Sequence, residues 1–441
     1  MDFMGKQKAL AAGVAAVLAT LAPLAKADVG YNKDGVALEV YGILDAGVGK
    51  LEHSYGGSSV FASTVNPYNL NSSPNSFSGI YSGGVSMSRW GIKGETDMGD
   101  GMKGFFKFES AIDVNSGQTS NNGQSIFNDT AANGGLTTAN GASAIDGQAF
   151  SRVAYVGMSD ALLGSVQIGR TTNFSLDQVA EYDPVQAALL YSPLGFSGGI
   201  GGGLGATENT RLDNSVKYEN KTAGIDYGYQ YKFSGSSNDQ TEGSAYVAML
   251  GYSDGPISLK GTYSRTYNTV AWATQYSNVT APSSSLQIED TSGYMLTGKY
   301  KINPDATVKM GYEFSTISTP SNQNLTTIKS YYGITLANPA ANMSGDQNFG
   351  TFWLGGDYKF TRAFDLAVAY YAINTYHTRD VGKDYTASAY SILADYNLNK
   401  NFDTYAGVMF MSYSGEGLLA QAPTLAYSSN AMYGVGLRFK F

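Results

Sequence analysis

Ala431-Met-Tyr-Gly-Val-Gly-Leu-Arg-Phe-Lys-Phe441 ends the chain, and its reading decides the fold. One face holds Ala431, Tyr433, Val435, Leu437, Phe439 and Phe441. The other holds Met432, Gly434, Gly436, Arg438 and Lys440. A period of two sustained over eleven residues matches a tilted strand that crosses a membrane. A half-buried strand of a soluble sandwich alternates as well, but it usually runs for about five or six residues.

The pattern repeats at the other end of the chain. Leu38, Val40, Leu44, Ala46 and Val48 share one face, and Glu39, Tyr41 and Asp45 share the other. Trp90 and Ile92 alternate with Arg89, Lys93 and Glu95. Phe106 and Phe108 oppose Lys103, Lys107 and Glu109. Charged residues along one face of a long strand need water, and aromatic residues on the other need hydrocarbon. A closed barrel with a wet lumen satisfies both and leaves no open edge in lipid. The expected fold class is therefore all-β, a transmembrane antiparallel β-barrel.

Sixteen strands are expected, near 36–50, 84–96, 102–114, 148–158, 165–171, 211–219, 223–234, 243–253, 257–268, 290–302, 305–316, 348–360, 364–376, 385–397, 402–413 and 430–441. Short connections rich in Gly, Pro, Asn and Asp, such as Asp254–Pro256 and Asn303–Pro304, alternate with long ones. The long ones fall at 51–83, 115–147, 172–210, 269–289 and 317–347. Short periplasmic turns and long extracellular loops mark an outer-membrane barrel, and an even strand number puts both termini on the periplasmic side. Sixteen strands enclose an aqueous channel.

At the N-terminus, Lys6 and Lys8 precede an apolar stretch from Ala9 to about Leu24 that ends in Ala25-Lys26-Ala27. This reads as a signal peptide, 1–27, leaving a single barrel domain over 28–441. A membrane-anchoring helix needs roughly 20 apolar residues. This run is shorter and contains Pro23. Removing Lys6, Lys8, Lys26 and Asp2 changes 28 basic and 36 acidic residues to 25 and 35, a net charge of −10. That balance argues against nucleic acid as a partner. With no cysteine, disulfides and thiolate metal sites are excluded. The 33 Tyr and 54 Gly suit girdled, tightly packed strands, while 15% charged residues falls well below the roughly 25% of soluble domains. The length alone suggests two or three domains. No linker interrupts the pattern between 36 and 441.

Several segments carry a family likeness: Val40-Tyr-Gly-Ile-Leu-Asp-Ala-Gly-Val48, Ser88-Arg-Trp-Gly-Ile-Lys-Gly-Glu95, Gly101-Met-Lys-Gly-Phe-Phe-Lys-Phe-Glu109, Arg152-Val-Ala-Tyr-Val-Gly157, Val166-Gln-Ile-Gly-Arg170 and Gly436-Leu-Arg-Phe-Lys-Phe441. Together they resemble the Gram-negative general porins of the β-proteobacterial and neisserial type. The resemblance implies export through the periplasm to the outer membrane, a homotrimer in its lipid bilayer, and a third long loop (172–210) folded into the lumen. It places the loop acids Asp177, Glu181 and Asp183 across the constriction from Arg89 and Arg152, which match by motif. Arg211 matches only by its place at the start of the sixth strand. All three arginines have lumen parity, whereas Arg170 has apolar-face parity and belongs to the loop base. The arginines pull towards anions, and the loop acids and net charge pull towards cations. The rigid wall of arginines tips the expectation to anions. The terminal Leu437, Phe439 and Phe441 resemble the signal read by the barrel-assembly machinery.

The function implied is a water-filled channel for passive diffusion of ions and small hydrophilic solutes. A solute-specific channel for sugars or phosphate stays open, as does a surface adhesin or structural barrel. Enzymatic readings are weak. Gly195-Phe-Ser197-Gly-Gly199 and Gly251-Tyr-Ser253-Asp-Gly255 fit a nucleophile elbow, but neither precedes a helix. The two histidines, His53 and His377, fall at loop ends. Gly201-Gly-Gly-Leu-Gly-Ala206 follows no strand, so it is no dinucleotide site. No cofactor or metal is expected, and Glu289, Asp290 and Asp380 read as solvated surface acids. Deleting Phe441 is expected to reduce insertion into the outer membrane while leaving secretion intact. Surface labelling checks this, and normal surface levels of the truncated chain would contradict it.

Overall fold

The computed structural model describes residues 29–33, 35–52, 76–115, 117, 149–196, 210–234, 240–241, 243–275, 283–318, 330–331, 334–335, 346–376, 384–415 and 429–441. The expected signal peptide 1–27, the Gly-rich run 198–205, His53, His377 and Asp380 lie outside them.

Sixteen long strands form the wall: β1 (Val36–Leu51), β2 (Arg89–Gly99), β3 (Met102–Ala111), β4 (Val153–Asp160), β5 (Gly164–Thr172), β6 (Arg211–Thr222), β7 (Ile225–Lys232), β8 (Ala245–Asp254), β9 (Ile257–Gln275), β10 (Ser283–Asn303), β11 (Ala306–Ser318), β12 (Gln347–Lys359), β13 (Phe364–Tyr376), β14 (Tyr385–Asn397), β15 (Phe402–Ser414) and β16 (Ser429–Lys440). Each pairs antiparallel with the next, and β16 returns to β1 through Ile43↔Lys440 to Leu51↔Met432, closing the circuit. Two short segments complete the seam. Val29–Lys33 pairs with the lower part of β1, in line with β16, and Phe77–Ser82 pairs with its upper part, in line with β2. All sixteen expected strands are present.

The face that alternation assigned to hydrocarbon points outward. Leu296 is 66% exposed, Leu250 64% and Val156 61%, and Val435, Ile392 and Met310 join the same band. In water so wide an apolar surface would aggregate. In a bilayer it is the seat of the barrel. Tyr246, Tyr263 and Tyr294 lie side by side on neighbouring strands, with tilted rings whose centres are 5.9 and 4.6 Å apart, as in an interfacial girdle.

Several boundaries differ from expectation, among them β4, which begins at Val153 rather than 148. β9 and β10 continue to Gln275 and back from Ser283, so most of the expected loop 269–289 is a projecting hairpin. The residues paired there, Val270 with Ile288 and Trp272 with Leu286, are strand formers. The second strand begins at Arg89 rather than 84, because residues 83–88 turn into the lumen.

Placing a charge in the outer band tests its contact with lipid. Leu296→Arg is expected to destabilise the membrane-inserted barrel by about 2–4 kcal/mol. Glu95→Arg, on the wet lumen face, is expected to change little. Unfolding in urea from lipid vesicles makes the comparison.

Candidate pore constriction

The third loop is built against the inner wall. At its entry Gly169 adopts φ +134, and the β5–β6 ladder shifts register between Gly169 and Thr171. Arg170, at this bulge, is only 7% exposed; it pairs with Asp213 and donates Nε–H to the Ser151 carbonyl at 2.8 Å. It is thus part of the loop base, as expected. A helix then forms, α1 (Phe174–Tyr182). Asn173 caps it, its side chain accepting the Ser175 N–H at 2.8 Å, and Pro184 follows its end, where a helix cannot continue.

Phe174, Gln178 and Tyr182 recur every four residues and form one buried stripe. Phe174 packs with Leu212, Val247 and Met249. Gln178 donates to the Lys260 carbonyl and to Thr297 Oγ1, both at 2.9 Å. Tyr182 OH lies 2.6 Å from Ser258 Oγ, and the Trp353 indole N–H donates to the Tyr182 carbonyl at 3.1 Å. Further on, Ser391 Oγ donates to the Tyr191 carbonyl at 2.6 Å. The Tyr191 ring lies on the bare backbone of Gly407, where a Cβ would approach it to 2.6 Å. These contacts run from β6 round to β15.

The loop acids meet lysines of this wall. Asp177 pairs with Lys217 at 2.5 Å, and Glu181 bridges Lys260 at 2.8 Å and Lys299 at 2.5 Å. Burial alone would raise the Glu181 carboxyl; the two ammonium groups outweigh it and hold the group below the ordinary glutamate range. Asp183 departs from the expectation. It is fully buried, accepting from Tyr371 OH and the Ala187 N–H, both at 2.6 Å, while Lys309 donates to its carbonyl. Burial pushes its carboxyl up, and these hydrogen bonds only partly offset the shift. Asp183 is an anchor of the loop and lines no water.

Arg89 opens β2 and Arg152 immediately precedes β4, while Arg211 opens β6. Glu109, 4% exposed, is the hub of the first two. It pairs with Arg152 at 2.5 Å, Lys107 at 3.6 Å and Arg89 at 3.7 Å, and accepts from Tyr41 OH at 2.8 Å. The side chains of Arg89 and Arg152 keep 24% and 14% of their exposure. Arg211 is only 3% exposed; its Nε has no partner, and Nη1 reaches Thr210 Oγ1 at 3.4 Å. It has no carboxylate partner among the described residues.

A second segment, residues 83–88, also enters the lumen. The buried carboxylate of Asp45 accepts N–H groups from Gly84, Val85 and Ser86 at 3.1, 3.0 and 2.7 Å, and Tyr405 OH at 2.5 Å. The Leu190 N–H donates to the Gly84 carbonyl at 3.0 Å, which ties the two inward segments together. Asp45, Glu109, Tyr371, Tyr405 and the three lysines were not singled out from sequence as site residues. Their common signal is a polar group at a lumen-parity position. Ser253 lies near a hairpin turn between β8 and β9, with no helix following.

The model of the Gram-negative porin family matches residues 12–416. The chain belongs to that family. It is thus an outer-membrane channel protein. An outer-membrane porin protein of Bordetella pertussis is 26% identical over 261 residues, which span 56% of this chain and 57% of that relative's length. Among solved structures, the anion-selective porin from Comamonas acidovorans superposes with a TM-score of 0.61 at 17% identity, covering 92% of this chain and all of that one. The outer-membrane protein OmpT of Vibrio cholerae gives 0.59 at 14% identity, covering 93% and 100%. Both show the same fold.

In this porin the depressed Glu181 carboxyl sets a pH dependence. The tie to Lys260 and Lys299 is complete above the ordinary glutamate value of about 4.3 and is lost only as pH falls through the lowered one. Native single-channel current is therefore expected to stay quiet at neutral pH and to become noisy only in acid below the ordinary glutamate range. Glu181→Gln is expected to be noisy already at neutral pH.

Proposed function

We propose that the barrel passes ions and small hydrophilic solutes by passive diffusion and favours anions. One observation carries the anion preference: the loop acids that would draw cations are engaged by lysines. Lys217, Lys260 and Lys299 outnumber Asp177 and Glu181 on one side. On the other, Arg89, Arg152, Lys107 and buried Arg211 outweigh Glu109. Fixed charge on polar walls sets ion preference because a permeating ion sheds part of its hydration there. The Comamonas porin with the same fold is described as anion-selective, which agrees with this reading.

Arg89, Arg152, Asp177 and Glu181 line the constriction, with Arg211 behind it and Asp183 holding the loop. The reading includes an exported precursor with leader 1–27, a homotrimer, insertion by the barrel-assembly machinery through Leu437, Phe439 and Phe441, and no catalysis. A trimer form is among the solved OmpT structures that share the fold. Reversal potentials across planar bilayers under a KCl gradient test the charge assignment. Arg89→Ala and Arg152→Ala are each expected to shift the potential towards cations, and Arg211→Ala to do so with little change in conductance. Native-like potentials in all three would overturn it.

A further inference from the structure

Beneath the third loop, beside the short periplasmic turns, the lumen wall encloses a cavity of about 250 Å³. Val85, Val185 and Leu393 give it an apolar side, and Lys359, Asp365 and Asp395 a charged one. We propose that this cavity is a binding subsite for a small zwitterion of the α-amino-acid class, held as it crosses the pore. The proposal rests on the barrel being an open pore.

The strand register sets the charges in a row. Lys359 of β12 is opposite Asp365 of β13, which is opposite Asp395 of β14. Like charges directly opposite across strands destabilise a sheet unless a cation joins them. The nearby cations are already engaged. Arg438 pairs with Asp403 at 2.9 Å and with Asp395 Oδ2 at 2.7 Å, and Lys440 pairs with Asp403 at 2.7 Å. Asp395 Oδ1 is buried and has no hydrogen bond. Among the described residues, Asp365 and Lys359 act on each other's charge across the strands, but neither makes an ion pair within 4.0 Å or a side-chain hydrogen bond.

What remains without a hydrogen bond from the protein is one carboxylate, one further carboxylate oxygen and one ammonium. A solute ammonium between Asp365 and Asp395, with its carboxylate on Lys359, completes all three with charge-assisted hydrogen bonds. A bare anion meets the two aspartates, a bare cation meets Lys359, and a neutral sugar matches none of them. The apolar side receives an aliphatic side chain. The volume falls just below the ~300–1,000 Å³ of ligand clefts, which suits one amino acid and not a disaccharide.

Single-channel recording of the full-length protein in KCl tests this. L-valine is expected to interrupt the current in brief, saturable partial blocks. N-acetyl-L-valine, which lacks the ammonium, and L-valinamide, which lacks the carboxylate, are expected not to. Asp365→Asn should raise the half-blocking concentration by about tenfold, the loss of one charge-assisted contact, with open-channel current unchanged. Lys359→Gln should abolish the distinction between valine and valinamide. Equal action of the three compounds on the native channel, or no block by valine in a conducting channel, overturns the subsite. Absence of any current overturns the pore reading and the subsite with it.

Discussion

A peptide N–H or C=O without a partner in hydrocarbon costs several kcal/mol, so a sheet in a bilayer must close on itself. The rest of this structure depends on that constraint. Closure at β1 and β16 removes the open edge, and every strand is then obliged to send alternate side chains to lipid and to water. The usual ordering of a soluble protein is inverted. Leu296 and Leu250 are among the most exposed apolar residues, while Asp45, Asp183 and Glu313 have none of their surface in solvent.

An inverted interior must satisfy its own polar groups, and the inward segments do so. Asp45 is hydrogen-bonded by three backbone amides and a tyrosine, and Asp183 by a tyrosine and an amide. Buried carboxylates with these bonds fix the loop's position, because removing any partner leaves an uncompensated group. The lysine pairs of Asp177 and Glu181 hold the helix to one side of the lumen and neutralise its acids. The position of the loop and the charge balance of the pore therefore have the same cause.

The sequence revealed much of this and concealed the rest for a physical reason. Period-two alternation sees one strand at a time, so it located all sixteen strands and gave Arg89, Arg152 and Arg211 their lumen parity. It does not see which strands lie across the lumen from one another. The resemblance set Asp177 and Glu181 across from the arginines, and nothing local in the sequence signals that lysines of β6, β9 and β10 hold them. Asp183 read as a loop acid because its burial depends on Tyr371, 188 positions away. The helix had a local signal in Asn173 and Pro184, but the surrounding pattern of strands and loops masked it.

The central claim is that the loop held inside the barrel sets the aperture. The most direct measurement is the swelling rate of liposomes in sugars of increasing size, for the native protein and for a form lacking residues 174–196, which leaves every wall strand in place. The account predicts a graded decline with solute size in the native protein, and a cut-off moved to larger sugars once the loop is removed. An unchanged size dependence in the shortened protein would contradict it.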